Sequence, residues 1–280
     1  SGQWTIKHII VNNAGGRGVK FDDSSGNSII QDIKLTSVES GIEAFTTTGD
    51  WLIENATVED ATDKGISVDQ STGSWTIESS TVQNISGDGI DAFQADDGLI
   101  SNVVVKNITD ENGINLGETS GDWVIEDSTI RSVNGSGEAR HGIVTDATAG
   151  DWTIQNTSIK NISGAGIDAY NQSKSSHATV ENLTVTDTKN HGITFYDSNG
   201  DWKVIDSYIS DSENKGIEAG ETTGNWSIVS TTVETTSGVL IDASGTTGNW
   251  EIHESKLSTE GEALNGTGAV EGNASYNYWG

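Results

Sequence analysis

Residues Gly73–Gly98, GSWTIESSTVQNISGDGIDAFQADDG, form the unit that the rest of the chain repeats. The unit runs Gly-polar-Trp-x-Ile, then Ser/Thr-x-Val/Ile, then Gly-Ile-x-Ala, then a polar run back to glycine. A period of about 24 residues marks a solenoid, in which each unit buries its apolar side only by stacking on its neighbours. Eleven units register on the Trp-x-Ile position, at Trp4, Ser28, Trp51, Trp75, Leu99, Trp123, Trp152, Ala178, Trp202, Trp226 and Trp250. The longer steps before Trp152 and Ala178 place added loop in two units, and loops of this kind often serve a binding face.

Each unit holds three short candidate strands with apolar residues at alternate positions, so one side faces a core and the other faces water. Gly, Asn and Asp punctuate the strands, and no window carries a helical period. The expected fold is all-β: a single right-handed parallel β-helix of about 11 coils, three strands per coil, spanning 1–280 as one domain. At about 4.8 Å per coil the rod would be on the order of 50 Å long.

The formal charge is −28, from 42 acidic and 14 basic residues. Such a surface repels nucleic acid and anionic lipid and excludes both as partners. The acids are spread over every unit, as expected of a protein working in molar salt, where screening shortens the Debye length to about 3 Å. Cysteine, proline and methionine are absent, so neither disulfides nor thiolate-bound metals are expected. Without an initiator methionine, the reading is of a processed or excised chain. No apolar run of about 18 residues exists, so no membrane insertion is expected.

The recurring Gly-Ile-x-Ala, as in Gly41-Ile42-Glu43-Ala44 and Gly166-Ile167-Asp168-Ala169, followed by Ile-x-x-Ser-x-Val, resembles the right-handed β-helix repeats of the pectate-lyase-like superfamily. The closing Asn277-Tyr278-Trp279-Gly280 is similar to an ending seen in haloarchaeal surface proteins of this type. The resemblance implies the fold. It does not select an activity, since the superfamily holds lyases, hydrolases, epimerases, tail spikes and adhesins. A polysaccharide groove on the third strand is what the enzymes of the superfamily would imply here.

In a parallel β-helix equivalent residues form columns. The tryptophan column reads as a ladder of indoles in the core, because Trp shares a side with the inward Ile two residues on. The Asp/Asn column before it (Asp50, Asp122, Asp151, Asp201, Asn225, Asn249) reads as turn chemistry; no cofactor or metal is expected, and calcium is admitted but not predicted. The outward columns of the third strand read as acids on a solvated face.

One cluster stands out beside the Gly135–Arg140 insertion: Arg140, His141, Asp146, Asp168, Tyr170, His191, Tyr196 and Asp197. Paired carboxylates suit glycoside hydrolysis, and Arg or His suits the base of a lyase. The Arg-x-Lys of polygalacturonases and the basic trio of pectate lyases are absent. Phe45, Phe93, Tyr170 and Tyr196 are candidate glycan contacts. Asn-x-Ser/Thr triplets recur, with Asn134, Asn161, Asn171 and Asn265 as glycosylation candidates.

Regular columns and bare ends lead to a non-enzymatic structural or adhesive β-helix outside a halophilic cell or virion, assembling head to tail with copies of itself or with other surface proteins. The alternative is a polysaccharide lyase or glycoside hydrolase with Asp146, Asp168, Arg140, His141 and His191 as its catalytic set. A non-catalytic glycan receptor using the four aromatics is the third reading.

Overall fold

The computed structural model describes residues 2–135, 140–174, 176–234 and 237–279, and among them every strand pairing is parallel and no helix occurs. Coil four illustrates the plan: Trp75–Glu78, Thr81–Ile85 and Ile90–Asp91 are its three strands. Each strand pairs with its equivalent in the coils before and after, so Ile90 lies between Ile66 and Ile114. The third strands build an 11-stranded sheet. First and second strands share a 22-stranded sheet because Ser28–Val38 and Trp51–Ala61 run through both positions without a break.

The bends come from single residues in the left-handed region. One column of them separates the first strand from the second (Asn55, Ser79, Asn102, Asp127, Asn156), another bends the second strand (Asp60, Asn84, Asn107, Asn161), and a third follows the third strand (Thr46, Gln70, Gln94, Glu118, Asn171). Asn and Asp tolerate this conformation better than other residues with a Cβ. Their side chains also bond coil to coil, as from Asn84 Nδ2 to Asp60 Oδ1 at 2.9 Å and from Asn107 to Asn84 at 2.9 Å. This turn chemistry explains the density of Asn-x-Ser/Thr triplets. Of the glycosylation candidates, Asn161 and Asn171 occupy such bends, Asn134 is exposed, and Asn265 donates to Asp242 Oδ1 at 3.0 Å.

The core is a stack of Ile, Val and Trp, with Trp75 and Trp123 each 1 % exposed. Indoles of successive coils lie nearly parallel, at 5.0 Å between Trp51 and Trp75 and 4.8 Å between Trp202 and Trp226. Where the column holds Ser28 or Ala178, a phenylalanine fills the gap. Phe21 sits between Trp4 and Trp51, and Phe195 between Trp152 and Trp202. The expected place of Leu99 in this column is corrected by one residue: Gly98 pairs with both Trp75 and Trp123. The six-membered ring of Trp123 takes the space that a Cβ at Gly98 would need, so Leu99 turns outward.

Buried hydroxyls complete the interior. Ser80, Ser128 and Ser207 are 2–3 % exposed. Each accepts a backbone N–H from the preceding coil and donates to the carbonyl two residues before it, as in Ala56 N–H to Ser80 Oγ (3.0 Å) and Ser80 Oγ–H to Glu78 O (2.8 Å). These hydroxyls satisfy main-chain groups where the strands part, and a narrow core therefore needs few large aliphatics.

Glycine in Gly-Ile-x-Ala is required by close approach. A Cβ at Gly89 would lie 2.5 Å from Val105 Cγ1 and 2.6 Å from the Gly113 carbonyl oxygen. Gly89→Ala is therefore expected to lower the urea midpoint by an equivalent of about 1–3 kcal/mol, as overpacking does. Trp75→Ala should lose about 3–5 kcal/mol through the cavity it leaves, whereas Trp4→Ala, at a ring 54 % exposed, should lose far less. Equal effects of the two tryptophan substitutions in urea titrations would contradict the ladder.

Candidate functional site

On the third sheet two positions carry the chemistry: the corner residue before Gly-Ile and the outward residue just after Ile. A basic residue at the corner of one coil reaches the acid of the next. Arg17 pairs in this way with Glu43, Lys64 with Asp91, His141 with Asp168, His191 with Glu218 and Lys215 with Asp242. The reading of these acids as a solvated face is thus corrected. The Asp91 side chain is 1 % and that of Asp242 8 % exposed. Coils about 4.8 Å apart close over short side chains, and an acid so enclosed requires a partner.

Within this band His141, Asp146, Asp168, Tyr170, Asn190, His191, Thr194, Tyr196 and Glu218 line a groove of about 290 Å³. Six of the nine belong to the cluster expected from sequence. Asn190, Thr194 and Glu218 were missed, although Thr194 and Glu218 stand in the same outward column as Asp168. Arg140 turns to the flank, its guanidinium 3.5 Å from Glu111, and Asp197 is not among the lining residues. Residues 136–139 of the expected insertion lie outside the described residues.

His141 has its tautomer set by its neighbours. The backbone N–H of Ala165 donates to Nδ1 at 3.2 Å, which leaves the proton on Nε2, facing Asp168 Oδ2 at 3.4 Å. Burial lowers the pKa of this ring despite the adjacent carboxylate, so it is neutral at neutral pH. Glu218 is gripped on both oxygens, by His191 Nε2 at 2.9 Å and Lys215 Nζ at 2.5 Å. Burial would raise its carboxyl, but these hydrogen bonds win and hold it down to about 2.

Asp146 is the opposite case. Burial, helped by the charges of Asp168 and Glu118, pushes its carboxyl up to about 6. Its Oδ1 is buried without a hydrogen-bond partner among the described residues. Tyr170 stands beside it on the next coil and stacks on Tyr196, with ring centroids 6.0 Å apart and planes 8° from parallel. Both rings are about 40 % exposed.

Further along the face, Asp88 is pushed up to about 7 by burial and by Asp91. It accepts the Asn112 N–H at 2.8 Å and the Asn115 amide at 3.3 Å, and every member of that network has a partner. Phe45 and Phe93 lie on this half of the face, outside the nine lining residues of the groove. The Asp/Asn column of the first corner is engaged by backbone: Asp122 Oδ1 accepts the Asp151 N–H and Asp201 Oδ1 the Asn225 N–H, at 2.8 and 2.7 Å. No cluster of three metal-ligating side chains is present among the described residues, and no helix there is long and apolar enough to cross a membrane.

The family model described as "Right handed beta helix region" matches residues 64–233 and 112–276. No curated protein matches the chain in sequence. Among solved structures, a double mutant of a periplasmic alginate epimerase superposes with a TM-score of 0.65 at 11% identity, covering 99% of this chain and 77% of that one. Pectate lyase Pel9A gives 0.63 at 11% identity over 87% and 70%. The A-module of an Azotobacter vinelandii mannuronan C-5 epimerase gives 0.62 at 12% identity over 100% and 91%. The expectation of a non-enzymatic structural or adhesive rod is overturned here. These three chains bear the names of polysaccharide-active enzymes, and the columns are interrupted by a groove with unequal carboxyls.

The doubly held Glu218 gives a pH signature. Its folded pKa lies below the ordinary 4.5, so its contribution is full above about 4.5 and disappears as pH falls through about 2. Glu218→Gln should destabilise by about 2 kcal/mol at pH 7, discounted for the part-solvated surroundings. In urea titrations the gap to the parent should close between pH 4.5 and 2; a gap independent of pH would refute the assignment.

Proposed function

We propose that this chain, which belongs to the right-handed β-helix family, is a polysaccharide-cleaving enzyme whose acid and base are Asp146 and Asp168. The observation that carries the reading is Asp146, a carboxyl raised to about 6 with an unpartnered buried oxygen, in a groove beside a pair of exposed tyrosines. A carboxyl in that range still holds its proton in mildly acidic solution and can lose it within one turnover, which is what a general acid requires.

In this reading Asp146 protonates the bridging glycosidic oxygen as the bond from that oxygen to the anomeric carbon breaks. Asp168 takes a proton from the water that attacks the same carbon. The two residues are one coil and two strand positions apart, roughly 8 Å between backbones, which suits the wider carboxyl spacing that leaves room for a water and inverts the anomeric centre. His141, kept neutral and donating from Nε2, orients Asp168 without adding charge. His191 and Lys215 fix Glu218 as the groove's floor on the next coils.

The name of each fold relative belongs to that relative, and its substrate is not carried over. Release of reducing ends from a panel of neutral and acidic polysaccharides decides the matter. Asp146→Asn and Asp168→Asn should each lower kcat by about 10²–10⁴-fold, and the parent's activity should fall as pH rises past about 6. Absence of turnover on every glycan, or turnover unaffected by both substitutions, would sink the proposal.

A further inference from the structure

The outward column through Asp146 runs Phe93, Gly117, Asp146, Tyr170, Tyr196, Gly220, each residue joined to the next coil by a backbone hydrogen bond at the following position, as in Gln94 N–H to Gly117 O and Asp197 N–H to Gly220 O. Aromatic rings in this column lean towards the following coil. Tyr170 stacks on Tyr196. A Cβ at Gly220 would lie 3.2 Å from Tyr196 Cδ2, tighter than ordinary van der Waals contact, and one at Gly117 3.4 Å from Phe93 Cδ2, in contact with the ring. Glycine therefore leaves an open rung against a ring at two places, one on each side of Asp146.

The charges of the groove carry a second message. Among the described residues its lining contains the carboxyls of Asp146, Asp168 and Glu218 and no lysine or arginine. The neighbouring ammonium of Lys215 is divided between Glu218 at 2.5 Å and Asp242 at 2.6 Å, and His141 is neutral. His191 is bonded to Glu218 at 2.9 Å and Arg140 is turned to Glu111. A uronic acid placed here would bring its carboxylate against like charges, with each basic group around the groove already facing an acid of the protein, and the two would repel.

We infer that the groove takes an uncharged glycan, laid along the column with sugar rings against Phe93 over Gly117 on one side of Asp146 and against Tyr170 and Tyr196 up to Gly220 on the other. This rests on Asp146 as the reacting centre. Pyranose faces are apolar enough to lie on aromatic rings, and hydroxyls find Asn190 and Thr194 on the wall of the groove. It separates this chain from the alginate- and pectate-named proteins whose fold it shares.

Calorimetric titration of the Asp146→Asn protein tests the inference without turnover. The probes are linear glucohexaoses of different linkage, against oligogalacturonate and oligomannuronate of the same length, each in dilute buffer and in 2 M KCl. At least one glucohexaose should bind, and Tyr170→Ala with Tyr196→Ala should weaken it about tenfold or more. Gly117→Leu, which fills the rung beside Phe93, should weaken it comparably. Both oligouronates should stay unbound even where salt screens the overall charge. Oligouronates binding as tightly as the neutral hexaoses, or neutral binding indifferent to all three substitutions, would overturn the inference. The two failures are distinguishable: Asp146-dependent cleavage of a polyuronate removes the uncharged substrate and keeps the catalytic residue, whereas neutral binding without turnover removes the catalytic residue and keeps the track.

Discussion

Everything in this molecule depends on one spacing. Parallel pairing sets successive coils about 4.8 Å apart, and at that distance every residue meets its own equivalent above and below. A position that is good for one coil must be good for its neighbours too. Indoles stack on indoles, buried hydroxyls accept N–H groups from the coil before, and left-handed Asn and Asp recur at the bends. The same spacing forbids a Cβ at the Gly-Ile corner, where carbonyl and methyl groups of the next coil already fill the space.

The spacing also governs charge. Acids stacked in a column would repel if left alone, and the chain answers with basic side chains placed one coil behind them. Most acids of the first outward column are thereby partnered and enclosed. Asp146 lies in the next outward column, and its Oδ1 is buried without a hydrogen-bond partner among the described residues. Its carboxyl is raised by that burial, with the charges of Asp168 and Glu118 adding to it.

The fold was legible because columns are periodic in sequence. Trp, Ile and Gly recur at fixed offsets, and the reading of coils and strands follows from these alone. The one-residue error at Leu99 arose because an apolar residue was preferred for an inward position, when the adjacent indole of Trp123 needed Gly98 there. Phe21 and Phe195 compensate for Ser28 and Ala178; each replaces the alanine of Gly-Ile-x-Ala, a signal visible in sequence once volume is counted along the rod. The groove was legible in part. His141, Asp146, Asp168, Tyr170, His191 and Tyr196 were grouped by adjacency of coils, but Glu218 and Lys215 were not, because their role depends on a reach of one coil that no residue-by-residue column displays. Function is less legible for a related reason: regular columns suggest inert scaffolding, although a regular scaffold is also what holds individual carboxyls such as Asp88 and Asp146 in raised states.

The forward reach of the basic corner residues has one more consequence. Apart from Lys215, which also meets Glu218 of its own coil, each of these basic residues finds its acid only in the following coil, so the smallest segment carrying such a pair is two coils long. A coil that is copied or lost over evolutionary time must therefore leave a basic corner behind every enclosed acid. Loss of the coil holding Lys64 would put Ser40 behind Asp91, and a second copy of the coil holding Asp91 would put Asp88 there. Chain length can change without stranding a buried carboxylate only where corner and acid are copied or removed as a matched set.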